Sequence, residues 1–518
     1  MSTEHTVSPV LAATVALLAG TWLVARVYKN RQRLQLPFPP GPPEKSWLGG
    51  NAEDMPRMYP WVKFAEWAKQ YGDVMHLRVH TNHIVVLSSY DAVLDLFESR
   101  GSLYSHRPRR EMAFLMGWEN IMPFHDYDEH WKSYRRYANL GFSKKASVMY
   151  QAGQTRDVHV FLQRVLANPD AFVKEFNTLT ATIIMRVTYG YTISDSNDPH
   201  VSTADQALAS LANTGVAGHY LVDSYPFLRH LPTWLPGMGF KHKALEWRKL
   251  PTRMANEPFD WTRNQMQNQG KAVPSFLSEM LDQNEDGVEA EDIIKWTAAS
   301  MYGGGAHTTV GILNNFILAM VLYPKVARKA REEIDRVVGP ERLPGIPDRP
   351  DLPYLECVLL ETMRWYPVTP LSLPHRVKED DAYRGYRIPA NSTVYNNVYA
   401  ITRDERLFPD PEKFIPERFD ESGGGGTPLN PKDIIFGVGR RVCPGQHIAD
   451  ASIYLVMANL IATMDITKAL DENGKEIEPA VVRGPSLICQ LRPFKCSIKP
   501  RSEHAVKLIN SAVMFGQE

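Results

Sequence analysis

The stretch that most constrains this chain is residues 436–445, Phe-Gly-Val-Gly-Arg-Arg-Val-Cys-Pro-Gly: one cysteine in a glycine-rich loop, with a helical run over 446–461 directly after it. A thiolate is a soft, strongly donating ligand, and iron accepts it well. Glycines permit positive φ and let the backbone come close to a flat macrocycle. Backbone N–H groups in such a loop can point at the sulfur, and the positive N-terminus of the following helix is expected to lower the thiol pKa. A lone buried cysteine is ordinarily inert packing, and a zinc site fails for want of a matching ligand set.

The rest of the chain is long enough, at 518 residues, for one large domain or two ordinary ones, and 44% hydrophobic residues supply a sizeable core. Lys+Arg and Asp+Glu both number 58, so nothing in the balance favours nucleic acid. The four cysteines show no disulfide spacing, which points to a reducing, cytosolic setting. Residues 7–25 are nearly all apolar, and about 19 residues at ~1.5 Å each reach about 28 Å, close to a bilayer core. Arg26, Lys29, Arg31 and Arg33 follow, so the positive-inside rule puts the remainder on the cytosolic side. A cleaved signal peptide would carry its charges before a shorter apolar run. The proline-rich stretch 37–43 is stiff and ends any helix. The expected division is a membrane anchor over 1–28, a basic and proline-rich linker over 29–45, and a catalytic domain over 46–518.

Along that domain, residues 76–87 have strand character, and an irregular stretch runs from Tyr104 to Phe124 with Phe114 and Phe124 among its apolar side chains. Trp131 and Arg135 share a face of a predicted helix, where indole N–H and guanidinium can reach one carboxylate. Residues 221–240 combine prolines with much apolar surface, more than a solvated loop carries. Asp282, Asn284 and Asp286 imitate a calcium loop, but Ile293 stands where the bidentate acid belongs. A helix is predicted over about 291–323. It holds Gly303, Gly304 and Gly305, each weakening a helix by roughly 1 kcal/mol relative to Ala, so a local opening is expected there. Glu361 and Arg364 lie at i,i+3 on a further helix, and Arg418 follows downstream.

Phe436, Gly439, Arg441, Cys443 and Gly445 match Phe-x-x-Gly-x-Arg-x-Cys-x-Gly, and in this loop the chain resembles cytochrome P450. Gly304, Gly305, Thr308 and Thr309 match the family's oxygen-activating helix, and the ordered set from anchor to Cys496 looks similar to fungal microsomal members of the O-methylsterigmatocystin oxidoreductase type. The resemblance implies a mainly α fold with a smaller β-rich region and an N-terminal single-pass transmembrane helix. It implies heme b with Cys443 as axial thiolate. Trp131, Arg135, His375 (with Arg376 as alternate) and Arg441 would serve the propionates. Glu361, Arg364 and Arg418 would form a structural lock. Phe114, Phe124, Met301, Val368, Leu371, Leu487 and Ile488 would line the substrate site, with residues 221–240 dipping into lipid.

The implied reaction is oxygen insertion into a lipophilic small molecule, such as a terpenoid or aromatic polyketide of secondary metabolism. Electrons come from NADPH through NADPH-cytochrome P450 reductase, with cytochrome b5 as a second candidate donor, at the endoplasmic reticulum membrane. A basic face of Lys132, Arg136, Lys144, Lys145 and Arg440 would meet an acidic redox partner. Two alternatives stay open: a heme-thiolate isomerase or dehydratase that needs no reductase, and a membrane-anchored heme binder without turnover. One position departs from the family. His307 stands where an acid precedes Thr308. An imidazole can relay protons as the acid does. It can equally point away, leaving water and Thr308 to suffice, or mark a site that has left monooxygenation.

Overall fold

The computed structural model describes residues 35–193, 198–212, 214, 220–269, 273–284, 287–421, 426, 429–485 and 487–515. The expected anchor and the linker up to residue 34 lie outside the described residues, as do parts of the glycine run near 423–426 and of the acidic turn near 286.

Helices of twelve residues or more form the frame of the described residues: α1 Pro60–Tyr71, α2 Glu129–Phe142, α3 Gln151–Ala167, α4 Phe172–Tyr189, α5 Pro199–Ala212, α6 Lys249–Gln269, α7 Val288–Leu322, α8 Pro324–Val337, α9 Pro353–Trp365, α10 Gln446–Thr463 and α11 Glu503–Phe515. The axis of the fold is α7, 35 residues long and so roughly 50 Å from end to end. Glu289 and Glu291 favour its first turn, and Pro324 stops it one residue after Tyr323. It is apolar all round, which marks a helix surrounded by protein. Its most apolar window would pass for a membrane span by length and composition, but 78% of it is buried among α2, α4, α6, α9 and α10.

The β-rich part sits to one side. β1 (Val74–Val79) pairs antiparallel with β2 (Asn82–Leu87), β2 runs parallel to β6 (Thr393–Asn396), and β3 (His375–Arg376) closes the order β1-β2-β6-β3. The strand expected over 76–87 is therefore a hairpin. His80 turns it at φ 54, a left-handed conformation in which His is over-represented. Two antiparallel pairs complete the set among the described residues: the tight hairpin of β4 (Asp381–Tyr383) with β5 (Tyr386–Ile388), and β7 (Met464–Lys468) with β8 (Cys496–Pro500), which a long connection joins.

Two further differences have plain physical causes. The proline-rich stretch is a docked strap, not a free spacer. His76 N–H donates to the Pro40 carbonyl at 3.0 Å, Arg387 N–H donates to that of Pro37 at 2.8 Å, and Phe38 stacks on His76 at 4.6 Å. A Cβ on Gly41 would lie 1.9 Å from the His76 carbonyl oxygen, so only glycine passes there. The irregular stretch before Phe124 holds a short helix, Glu111–Leu115. Its buried Glu111 meets Arg229 at 2.7 Å, an ion pair to the 221–240 region that local sequence does not announce.

Candidate active site

Cys443 follows a tight turn, Gly439–Arg441, ahead of α10. Gly439 has φ 65, and a Cβ on it would meet the Phe97 carbonyl oxygen at 2.2 Å; position and conformation both demand glycine. Cys443 N–H donates to the Phe436 carbonyl at 2.7 Å, which closes the loop. Burial pushes the Cys443 thiol up, against the downward pull of the Gly445 and Gln446 N–H groups and of Arg135. The expectation of a lowered thiol is thus corrected for the protein alone: desolvation outweighs the helix N-terminus. A bound cation would reverse that order, since a coordinated thiol is deprotonated. Cys443 nonetheless keeps some accessible surface. Met301 of α7 stands beside the loop: a Cβ on Gly445 would lie 3.2 Å from the Met301 methyl and 4.0 Å from the Cys443 sulfur.

A knot of cations lies beside the loop. Arg441 donates from Nε to the Ser105 carbonyl (2.7 Å) and from Nη2 to that of His125 (2.6 Å), with its guanidinium over the Trp131 ring at 4.2 Å. Burial, then the charge of Arg107, pushes Arg441 down to about 8. Arg107 donates from Nη1 to the Leu373 and Pro374 carbonyls (2.7 and 2.8 Å), and burial takes it down to about 10. Among the described residues, Arg441 Nη1 and Arg107 Nε are buried without a hydrogen-bond partner. Native interiors seldom leave such donors unmet, and two guanidinium N–H groups ask for a carboxylate. His375 stacks on Phe97 at 3.9 Å, and its Nδ1 faces the Tyr104 carbonyl at 2.8 Å. Burial and Arg107 hold it well below the usual histidine range. With Nδ1–H given to Tyr104, His375 donates to an anion only when protonated on both nitrogens. Arg135 lies toward the cysteine, its Nη1 donating to the Val442 carbonyl. Arg376, the alternate to His375, is taken by Asp126 at 2.6 Å and by Asn391.

Above the loop, α7 stays continuous through its glycines, so the expected opening of the helix does not occur. The glycines serve packing. A Cβ on Gly303 would come 3.3 Å from Met254, one on Gly305 3.1 Å from Ile184, and one on Gly311 2.9 Å from Val368. Gly304 differs: a Cβ there meets nothing within 4 Å, and the residue is exposed in the middle of a buried helix. Thr308, one turn on, donates to the Gly304 carbonyl at 2.8 Å. Three apolar segments are tied to α7 around this open face. Met122 N–H donates to Ser300 Oγ (2.9 Å), bringing Phe124; Gln490 Nε2 donates to the His307 carbonyl (2.8 Å), bringing Ile488; and Val368 packs at Gly311. Leu371 belongs to the buried cluster that also holds Trp61, Phe64, Tyr395 and Cys489. Leu487 keeps 39% of its surface exposed, and Phe114 lies against Arg109. The His307 ring turns toward α5, with Nε2 3.3 Å from Asp205 Oδ1.

The lock is fully internal. Glu361 accepts from Arg364 Nε (2.6 Å) and Nη2 (2.9 Å), from Arg418 Nε (3.2 Å) and from Ile415 N–H (2.7 Å), with the Glu361 and Arg364 side chains at 0% exposure. Arg364 Nη1 reaches on to the Thr402 carbonyl at 2.9 Å.

A family model for cytochrome P450 matches residues 39–489. The chain is similar to Cytochrome P450 monooxygenase 208 of Postia placenta, 39% identical over 502 residues and 96% of each chain. It is also similar to Cytochrome P450 monooxygenase claR of Ampulloclitocybe clavipes, 37% identical over 475 residues, 91% of this chain and 88% of that one. Tryptamine 4-monooxygenase of Psilocybe cyanescens is 35% identical over 502 residues, 95% of this chain and 98% of that one. The chain belongs to the cytochrome P450 family. As a fungal-type P450 monooxygenase it is an oxidoreductase, with a heme held through a cysteine thiolate and electrons supplied by a redox partner. The residues present fit that group: a cysteine that keeps some accessible surface, unmet guanidinium donors on the neighbouring Arg441 and Arg107, and an open face at Gly304 of α7. Neither the unmet donor of Arg107 nor the approach of Asp205 to His307 was legible in the sequence, since each residue sits in an unremarkable local sequence and acquires its neighbours only through the fold.

Proposed function

We propose that this P450 hydroxylates or otherwise oxidises a lipophilic small molecule of fungal secondary metabolism, a terpenoid or an aromatic polyketide, with NADPH electrons from NADPH-cytochrome P450 reductase. The observation that carries the reading is the open face at Gly304, on the stretch of α7 to which the apolar segments holding Phe124 and Ile488 are tied and against which Val368 packs at Gly311. Apolar segments gathered around an open space favour an apolar substrate. A relative whose name assigns it tryptamine supports an aromatic substrate in such a site. Cys443 would ligate the iron, and Arg441 and Arg107, with Trp131, Arg135 and His375 near them, would hold the propionates. A heme so held supplies the activation of dioxygen, which the thiolate promotes by electron donation. The chain's own work is the rest. Gly304 leaves room where any side chain would intrude. Thr308 presents a hydroxyl at that face. The Glu361 lock stiffens the cysteine side.

The membrane part of the proposal places residues 7–25 across the endoplasmic reticulum bilayer with the catalytic domain cytosolic. Exposed Trp47, Leu48, Phe227 and Trp234 support an apolar face turned to lipid. The test is spectroscopic first. The reduced, CO-bound protein is expected to show the red-shifted Soret band of a thiolate-ligated heme, and Cys443→Ala to lose it. A Soret-shift screen of terpenoids, polyketides and indoles, then product analysis with reductase and NADPH, tests the substrate class. Product without reductase would select the isomerase or dehydratase alternative, and substrate binding without NADPH consumption the non-catalytic one.

A further inference from the structure

His307 replaces an acid in α7, yet an acid is present. Asp205, on the neighbouring helix α5, faces the His307 ring with Oδ1 3.3 Å from Nε2. Three residues on from Gly304, His307 emerges within roughly 60° of the open face of α7. The pair spans a gradient of access, Asp205 keeping 53% of its side-chain surface and His307 28%. Tyr302 on α7 lies within reach of the charges of Asp205 and Asp198, and Gln490 holds the His307 carbonyl and thereby the position of the residue. Thr180 on α4 donates to the Ala306 carbonyl at 2.9 Å and secures the same turn from the other side. The backbone at His307 is thus held by two neighbours, and the ring is oriented by a third.

Resting on the monooxygenase reading above, we propose that Asp205 is the acid of this active site: a positioning residue on α5 that holds His307 as a proton relay to the Gly304–Thr308 face. When one oxygen atom enters a substrate C–H bond and the other leaves as water, a pair of electrons from the redox partner and a pair of protons from solvent are consumed. For each proton, the ring takes one at Nε2 from the Asp205 side and is held as imidazolium beside the carboxylate. It then gives its Nδ1 proton to water on the open face. It ends neutral, as it began, with its tautomers exchanged, and turning over restores it. The carboxylate stands on α5 and the base on α7, so proton entry depends on how α5 sits on α7.

The experiment uses the holoenzyme with reductase, NADPH and a substrate found by the Soret-shift screen. Asp205→Asn is expected to keep the CO-bound spectrum and the substrate-induced shift. Product per NADPH should fall about tenfold, the difference appearing as hydrogen peroxide; this is below the ~10²-fold of a fully committed acid–base group, because water shares the route. The solvent isotope effect should rise, and Asp205→Glu should restore most of the coupling. His307→Ala should match Asp205→Asn, and the double variant should be no worse than either. Melting temperatures of the four holoproteins give a readout independent of turnover: the two single shifts should fail to add. Unchanged product per NADPH in Asp205→Asn, or additive losses in the double variant, would overturn the relay. Loss of the CO-bound spectrum in Asp205→Asn would also overturn it, by making Asp205 structural. Absence of that spectrum in the wild-type protein would instead sink the monooxygenase reading beneath it.

Discussion

Glu361 is a carboxylate with no exposed surface, so every partner it has must come from inside the chain. It finds two guanidinium groups and a backbone N–H. A buried ion pair carries a desolvation cost that only complete hydrogen bonding offsets, and removing one member strands the other charges. Glu361→Gln is therefore expected to cost ~3–5 kcal/mol, measured by chemical denaturation of the holoprotein, with a matching loss of CO-reactive heme per mole of chain. A cost under about 1 kcal/mol would mean that the pair behaves as a solvated one. The i,i+3 spacing of Glu361 and Arg364 was legible in the sequence. That Arg418 completes the set was legible only through resemblance. Arg107 was not legible at all, because its role depends on carbonyls more than 260 residues away.

At the scale of elements, α7 shows why glycine content alone misleads. Intrinsic propensity predicts a weakened helix at Gly303–Gly305, yet tertiary packing keeps it whole, with side chains from α4, α5 and α6 lying close where Cβ atoms would be. The glycines therefore differ in what a methyl group would do. Gly304→Ala is expected to raise stability by about 1 kcal/mol through helix propensity while its methyl enters the open face and weakens substrate-induced Soret shifts. Gly311→Ala puts a Cβ 2.9 Å from two Val368 methyl carbons, which must shift, so it should lower the melting temperature. Thermal melts and substrate titrations on the two variants separate the cases; equal effects would show that the open face is not where substrate sits.

For the whole molecule, net charge is zero, so any steering of an acidic partner must come from how the charges are distributed. Tyr127, Trp131, Lys132, Arg135, Arg136 and Arg440 line an open groove of about 590 Å³ outside the cysteine loop. Arg440 donates to Tyr127 OH at 2.7 Å, and Lys132 pairs with Glu129, both at the surface. Charge reversal at Lys132 or Arg440 is expected to slow reductase-supported turnover several-fold at low salt, less at high salt as screening removes the steering. Peroxide-supported turnover should barely change. Equal losses in both assays would mean structural damage and not lost docking.

Spacing and order along the chain were enough to name the cysteine, the loop around it, the long central helix and the family, because these depend on contacts within a turn or two of helix or on a fixed run of residues. They were also enough to mark His307 as out of place. Which way its ring turns, which acid answers it, which glycine faces open space and which cations stand without a carboxylate are questions of distance between segments far apart in sequence. Those distances follow from how α5, α7 and the loops before α2 and β3 pack together. Packing is set by the summed shape and burial of many side chains, so no single stretch encodes it.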